Sequence, residues 1–238
     1  MRSKAADASG ITSLSPRATF SILAALLVVT LVVSGAVVLG LLFIPGGRDI
    51  ALPVLAAMVL VHAATMLLTL HLGLRRAGSG WHHIGFLRPT TRILHLLWQI
   101  PTIFVFLIAV QALAFLITGS PARSGGTLDM LFAGTSPFLI VAAFVGVVLL
   151  TPIWEEVAFR GLVHGGLRRR LGPITASLIS AGIFAIFHGV PILLPYMLTL
   201  GLSLAYLREF HRTLWAPICM HVTLNGLATG AALVAVLK

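Results

Sequence analysis

Apolar and polar positions alternate along this chain in blocks rather than in short periods. Long apolar runs near 19–44, 50–74, 93–119, 137–168, 173–189, 191–207 and 213–237 are separated by short polar breakers. The breakers are IPGGRD (44–49), RRAGSGWHH (75–83), TGSPARSGG (118–126), RRRLGP (168–173), HGVP (188–191) and REFHRT (208–213). Spanning a bilayer as a helix takes about 20 apolar residues, and Gly and Pro clusters punctuate helices. The runs are too long for barrel strands, which need about 9–11 alternating residues. The pattern predicts an all-α, polytopic membrane bundle of about seven helices. The runs at 173–189 and 191–207 are the short ones. The first run, Phe20 to Ile44, exceeds the roughly 7–15 apolar residues of a secretory signal and is read as a retained span.

Composition agrees: 58% of the 238 residues are hydrophobic and 9% charged, with a mean hydropathy of +1.06. The net charge of +10 would suit a nucleic-acid binder. The basic residues, however, cluster at run ends without the aromatic interleaving of a nucleic-acid surface, so no nucleic-acid partner is expected. Placed in a seven-helix order, they fall mostly in alternate loops, which predicts a plasma-membrane protein with its N-terminus cytoplasmic. The lone Cys219 forms no internal disulfide and reads as a small buried residue. The chain divides by pattern into a tail (1–17), N-terminal spans (18–136) and a chemistry-bearing core (137–238).

Charge inside a span is costly and marks function. Glu155, Glu156 and Arg160, in WEEVAFR, are the acidic and basic residues well inside the predicted spans. Three further polar groups, His188, His221 and Asn225, lie in later spans. At 1.5 Å per residue, Glu155 and His188 stand about 20 Å from the basic turn at 168–172. By the same rise His221 and Asn225 stand about 13–20 Å along the last span. The expectation is that these groups meet. Glu156 and Arg160 are i,i+4 and predict a pair, whereas Glu155 is turned about 100° away and is left to act as a base. His221 and Asn225 share one face, as do Phe184 and His188.

Ordinary roles compete. Glu156 with Arg160 reads also as a buried ion pair fixing packing, His188 as a helix-end cap, and His221 with Asn225 as interhelical hydrogen-bonding glue. His62, His71 and His95 receive no role, and His82, His83, His164 and His211 read as interfacial. GxSG, GxGD and HExxH patterns are absent, which leaves Glu/His chemistry on water. Pro152 is expected to kink the fourth span.

EEVAFR (155–160), FAIFH (184–188) and HVTLN (221–225) resemble the EExxxR, FxxxH and HxxxN motifs of the CPBP family. That family groups CAAX prenyl proteases with bacteriocin-processing and abortive-infection-type membrane proteins. The resemblance covers about residues 137–236, with GFLRPTT (85–91) similar to a basic stretch before the family core. It implies an intramembrane endopeptidase acting on a membrane-associated or lipidated peptide among membrane lipid. Glu155 and His188 would activate water, and His221 and Asn225 would stabilise the oxyanion. Glu156, Arg160 and Phe184 would support the site. Both a metal-free glutamate mechanism and a metalloprotease are argued for such proteins. No cofactor is certain; Glu155, His188 and His221 are the set a zinc ion would take. The other class of reading is a non-catalytic membrane immunity, chaperone-like or transport factor.

Overall fold

The computed structural model describes residues 14–47, 50–119, 132 and 135–236, and these are helical with connecting turns. The helices are α1 (Pro16–Phe43), α2 (Ala51–Arg76), α3 (Leu96–Thr118), a continuous run Pro137–Phe187, then Leu194–His211 and Trp215–Val236. Among the described residues, these account for six runs long and apolar enough to cross a membrane. The 51-residue run is two limbs, because Gly172 within it has φ 78° and ψ 171°. Glycine takes a left-handed φ without a Cβ clash, and the following Pro173 favours the extended ψ. The limbs are α4 (137–171) and α5 (173–187); Leu194–His211 is then α6 and Trp215–Val236 α7. The protein is an integral, multi-pass membrane bundle.

Local chemistry sets the ends. Ser15 Oγ accepts from Ala18 N at 3.2 Å, with Pro16 opening α1. Ser136 Oγ accepts from Leu139 N at 3.4 Å, with Pro137 opening α4. In both, a hydroxyl takes a helix-end N–H and proline occupies a position that needs none. Gly119 closes α3 at φ 64°, its N–H bonding Phe115 O at 2.8 Å. Arg212 closes α6 in the left-handed region at φ 56°, its N–H donating to Arg208 O at 3.0 Å.

The described residues within 1–20, 74–122 and 155–220 form one compact unit, and those within 21–73, 123–154 and 221–238 form another. In the first, α5 and α6 pack closely. A Cβ on Gly201 would lie 3.0 Å from Ala181 Cα, so a small residue is needed there. The stretch 81–95 also belongs to this unit. Its Gly85 carbonyl accepts from Leu214 N at 2.9 Å, and Leu87 O accepts from Thr213 Oγ1 at 2.8 Å. In the second unit, a Cβ on Gly146 of α4 would lie 2.9 Å from Leu60 N of α2. Those two backbones are therefore in contact.

Candidate functional site

WEEVAFR lies where α4 changes its winding. A six-residue α segment, Thr151–Glu156, separates two π stretches, Val145–Leu150 and Val157–His164. The i→i+5 turns of such stretches are uncommon and recur at functional sites. Glu155 is 5% exposed, and Glu156 and Arg160 are wholly buried. Arg160 Nη1 donates to Glu156 Oε1 at 2.9 Å, and Nη2 donates to Gly201 O on α6 at 3.0 Å. The guanidinium carbon stands 4.5 Å from the Phe184 ring centroid on α5. The cation is thus held by a carboxylate, a carbonyl and an aromatic face, which offset its desolvation. Glu155 also acts electrostatically on this guanidinium, less than Glu156 does.

Phe184 carries the arrangement on to His188. Their rings are 4.5 Å apart, and Phe159 meets Phe184 edge-on at 5.1 Å. His188 Nδ1 lies 2.8 Å from Phe184 O. A carbonyl oxygen only accepts, so Nδ1 carries the proton. In the neutral ring Nε2 then keeps its lone pair, and this half-buried nitrogen can accept a proton or bind a Lewis acid. Ser180 Oγ donates to Phe159 O at 3.0 Å, tying α5 to the second π stretch. Glu156, Arg160, Phe184 and His188 therefore form one contact series inside the first unit. Gly201, Phe159 and Ser180 complete its support; of these only Gly201 is signalled in the sequence, as a small residue inside a span.

His221 and Asn225 lie on α7, in the second unit. His221 is 3% exposed and Asn225 is half-buried. Asn225 Nδ2 donates to Val147 O in the first π stretch at 2.9 Å. One amide hydrogen is committed there and the other remains for another acceptor.

Three sequence expectations need correction. His164 and His211 are not interfacial side chains, being 1% and 5% exposed. His164 Nε2 lies 3.3 Å from Ser177 Oγ and 3.6 Å from Glu209 Oε1, and His211 Nε2 lies 2.7 Å from Gln99 Oε1. Polar partners on neighbouring helices make that burial tolerable. Cys219 is exposed rather than buried; on a membrane helix an outward thiol meets an apolar surrounding. The winding continues through Pro152, from the π stretch Val145–Leu150 into the α segment Thr151–Glu156. Among the described residues, no three His, Cys, Asp or Glu side chains are gathered as a metal-ligand set.

Residues 137–227 match the family described as type II CAAX prenyl endopeptidase Rce1-like. A Bacillus subtilis (strain 168) protein named "Putative membrane peptidase YdiL" is 30% identical over 138 residues, covering 56% of this chain. The chain spans about half the length of that relative, 54%. No solved structure matches. The buried Glu–Glu–Arg set, the Phe–His pair on α5 and the His–Asn pair on α7 all fall inside the segment that matches this Rce1-like family.

Proposed function

We propose that this protein is an intramembrane endopeptidase in which Glu155 and His188 activate water. The observation that carries the reading is the contact series from Glu156 through Arg160 and Phe184 to His188. It fixes the helix turn bearing Glu155 and leaves His188 Nε2 as an acceptor. Two adjacent carboxylates thereby take different work: Glu156 is held by the cation, and Glu155 is the base.

The hydrolysis is then direct. Glu155 takes a proton from water as its oxygen bonds the substrate's carbonyl carbon. The carbonyl oxygen becomes an oxyanion, to which His221 and the second Asn225 N–H donate. The C–N bond breaks as the proton passes from Glu155 to the departing amine. Glu155 and His221 are buried, which strengthens the interactions each of them makes. The substrate is a peptide that reaches the bilayer, carried by a lipid or by its own apolar segment.

The test is cleavage of such peptides by purified protein in vesicles, read by mass spectrometry. A single new amide cleavage, absent in Glu155→Gln and in His188→Ala at unchanged melting temperature, is the expected result. Equal cleavage by wild type and Glu155→Gln overturns the reading.

A further inference from the structure

The Asn225 amide has a partner that helices do not ordinarily offer. A main-chain carbonyl in a helix is taken by the N–H four or five residues on. For Val147 those donors would be residues 151 and 152. Thr151 N–H is committed to Gly146 O, and position 152 is proline, which has no N–H. Buried carbonyls are nearly always bonded, and inside a bilayer water does not serve. Asn225 Nδ2, 2.9 Å away, supplies the bond from 78 positions along the chain.

We infer that Pro152 and the Val147 carbonyl are positioning elements for Asn225. The proline frees the carbonyl, and the carbonyl fixes the amide so that its second N–H points in one direction. The same bond ties α7 to α4 at Val147, eight residues before Glu155 in the chain. The amide's flip state follows as well, since only the NH2 end can face a carbonyl. The Pro152–Asn225 relation stands on this geometry alone; its effect on turnover rests on the peptidase reading above.

A double substitution separates the two. In the wild-type background, Asn225→Ala and Asn225→Asp both remove the donor and lower the melting temperature in detergent. In Pro152→Ala, residue 152 regains an N–H that reaches Val147 O, and Asn225→Ala then lowers the melting temperature much less. Pro152→Ser repeats the comparison with the same restored N–H. Equal losses from Asn225→Ala in the proline and alanine backgrounds overturn the inference, as does wild-type stability in Asn225→Asp. In active protein, Pro152→Ala lowers kcat with KM unchanged, because the amide loses its anchor; unchanged kcat overturns the catalytic part. Absence of cleavage in every form, with the stability coupling present, removes the peptidase reading and leaves the positioning relation standing.

Discussion

The two compact units solve burial differently. Among the described residues, every Arg and Glu lies in the first unit, and the second contains no Asp, Glu, Lys or Arg. The first buries an ion pair and surrounds it, with Gly201 O, Phe184 and Glu156 around Arg160. The second uses small residues and neutral donors: Gly146 against Leu60, Gly73 against Ile22, His62 Nε2 near Thr30 Oγ1 at 3.3 Å, and Asn225 on Val147 O. Inside a bilayer an ion needs a complete set of partners, whereas a neutral amide needs one. The lesson is that, among the described residues, charge is confined to the unit that surrounds it with partners, while the other unit is held by close backbone approach and neutral hydrogen bonds.

The largest way to break that contrast is to neutralise the reacting charge. Glu155→Gln should lower the cleavage rate by about 10²–10⁴-fold, the usual contribution of a positioned base. The melting temperature in detergent should hold, which separates it from its neighbour. Next, Arg160→Ala leaves Glu156 buried beside an emptied site and should cost about 3–5 kcal/mol of stability, read by thermal melting or expression. Equal stability of the Glu155 and Arg160 variants would break the division of work between the two carboxylates.

The second unit should respond to volume instead. Gly146→Ala sets a Cβ 2.9 Å from Leu60 N, and backbone does not yield as a flexible side chain does. A loss of about 1–3 kcal/mol is expected on melting. Gly230→Ala on α7, with nothing within 4 Å of its Cβ, should be neutral or should stabilise by up to about 1 kcal/mol. The smallest effect belongs to the first unit's surface. Arg168 Nε bonds Glu209 Oε1 with 44% and 25% of the side chains exposed. Arg168→Ala should cost under about 1 kcal/mol and less in high salt, as screened pairs do.

What the sequence by itself determined are the features that depend on near neighbours. Apolar length placed the helices, and the breaker at 168–173 divided α4 from α5, because a bilayer admits helices and not bare loops. The i,i+4 spacing of Glu156 and Arg160 announced their pair, since helix winding brings those positions together. Tertiary structure alone decided the rest. That Gly201 and Phe184 share Arg160, that His164 and His211 are buried, and that Cys219 faces out all depend on which helix faces which. The two π stretches around WEEVAFR left no periodic signal, for one extra residue in a turn shifts a pattern without breaking it. Asn225 is the sharpest case. Its spacing from His221 suggested one face, and Pro152 marked a missing N–H, yet only packing shows that the amide answers the proline. Hydrogen bonds are satisfied in space, and a chain written in order does not record which distant donor will be there.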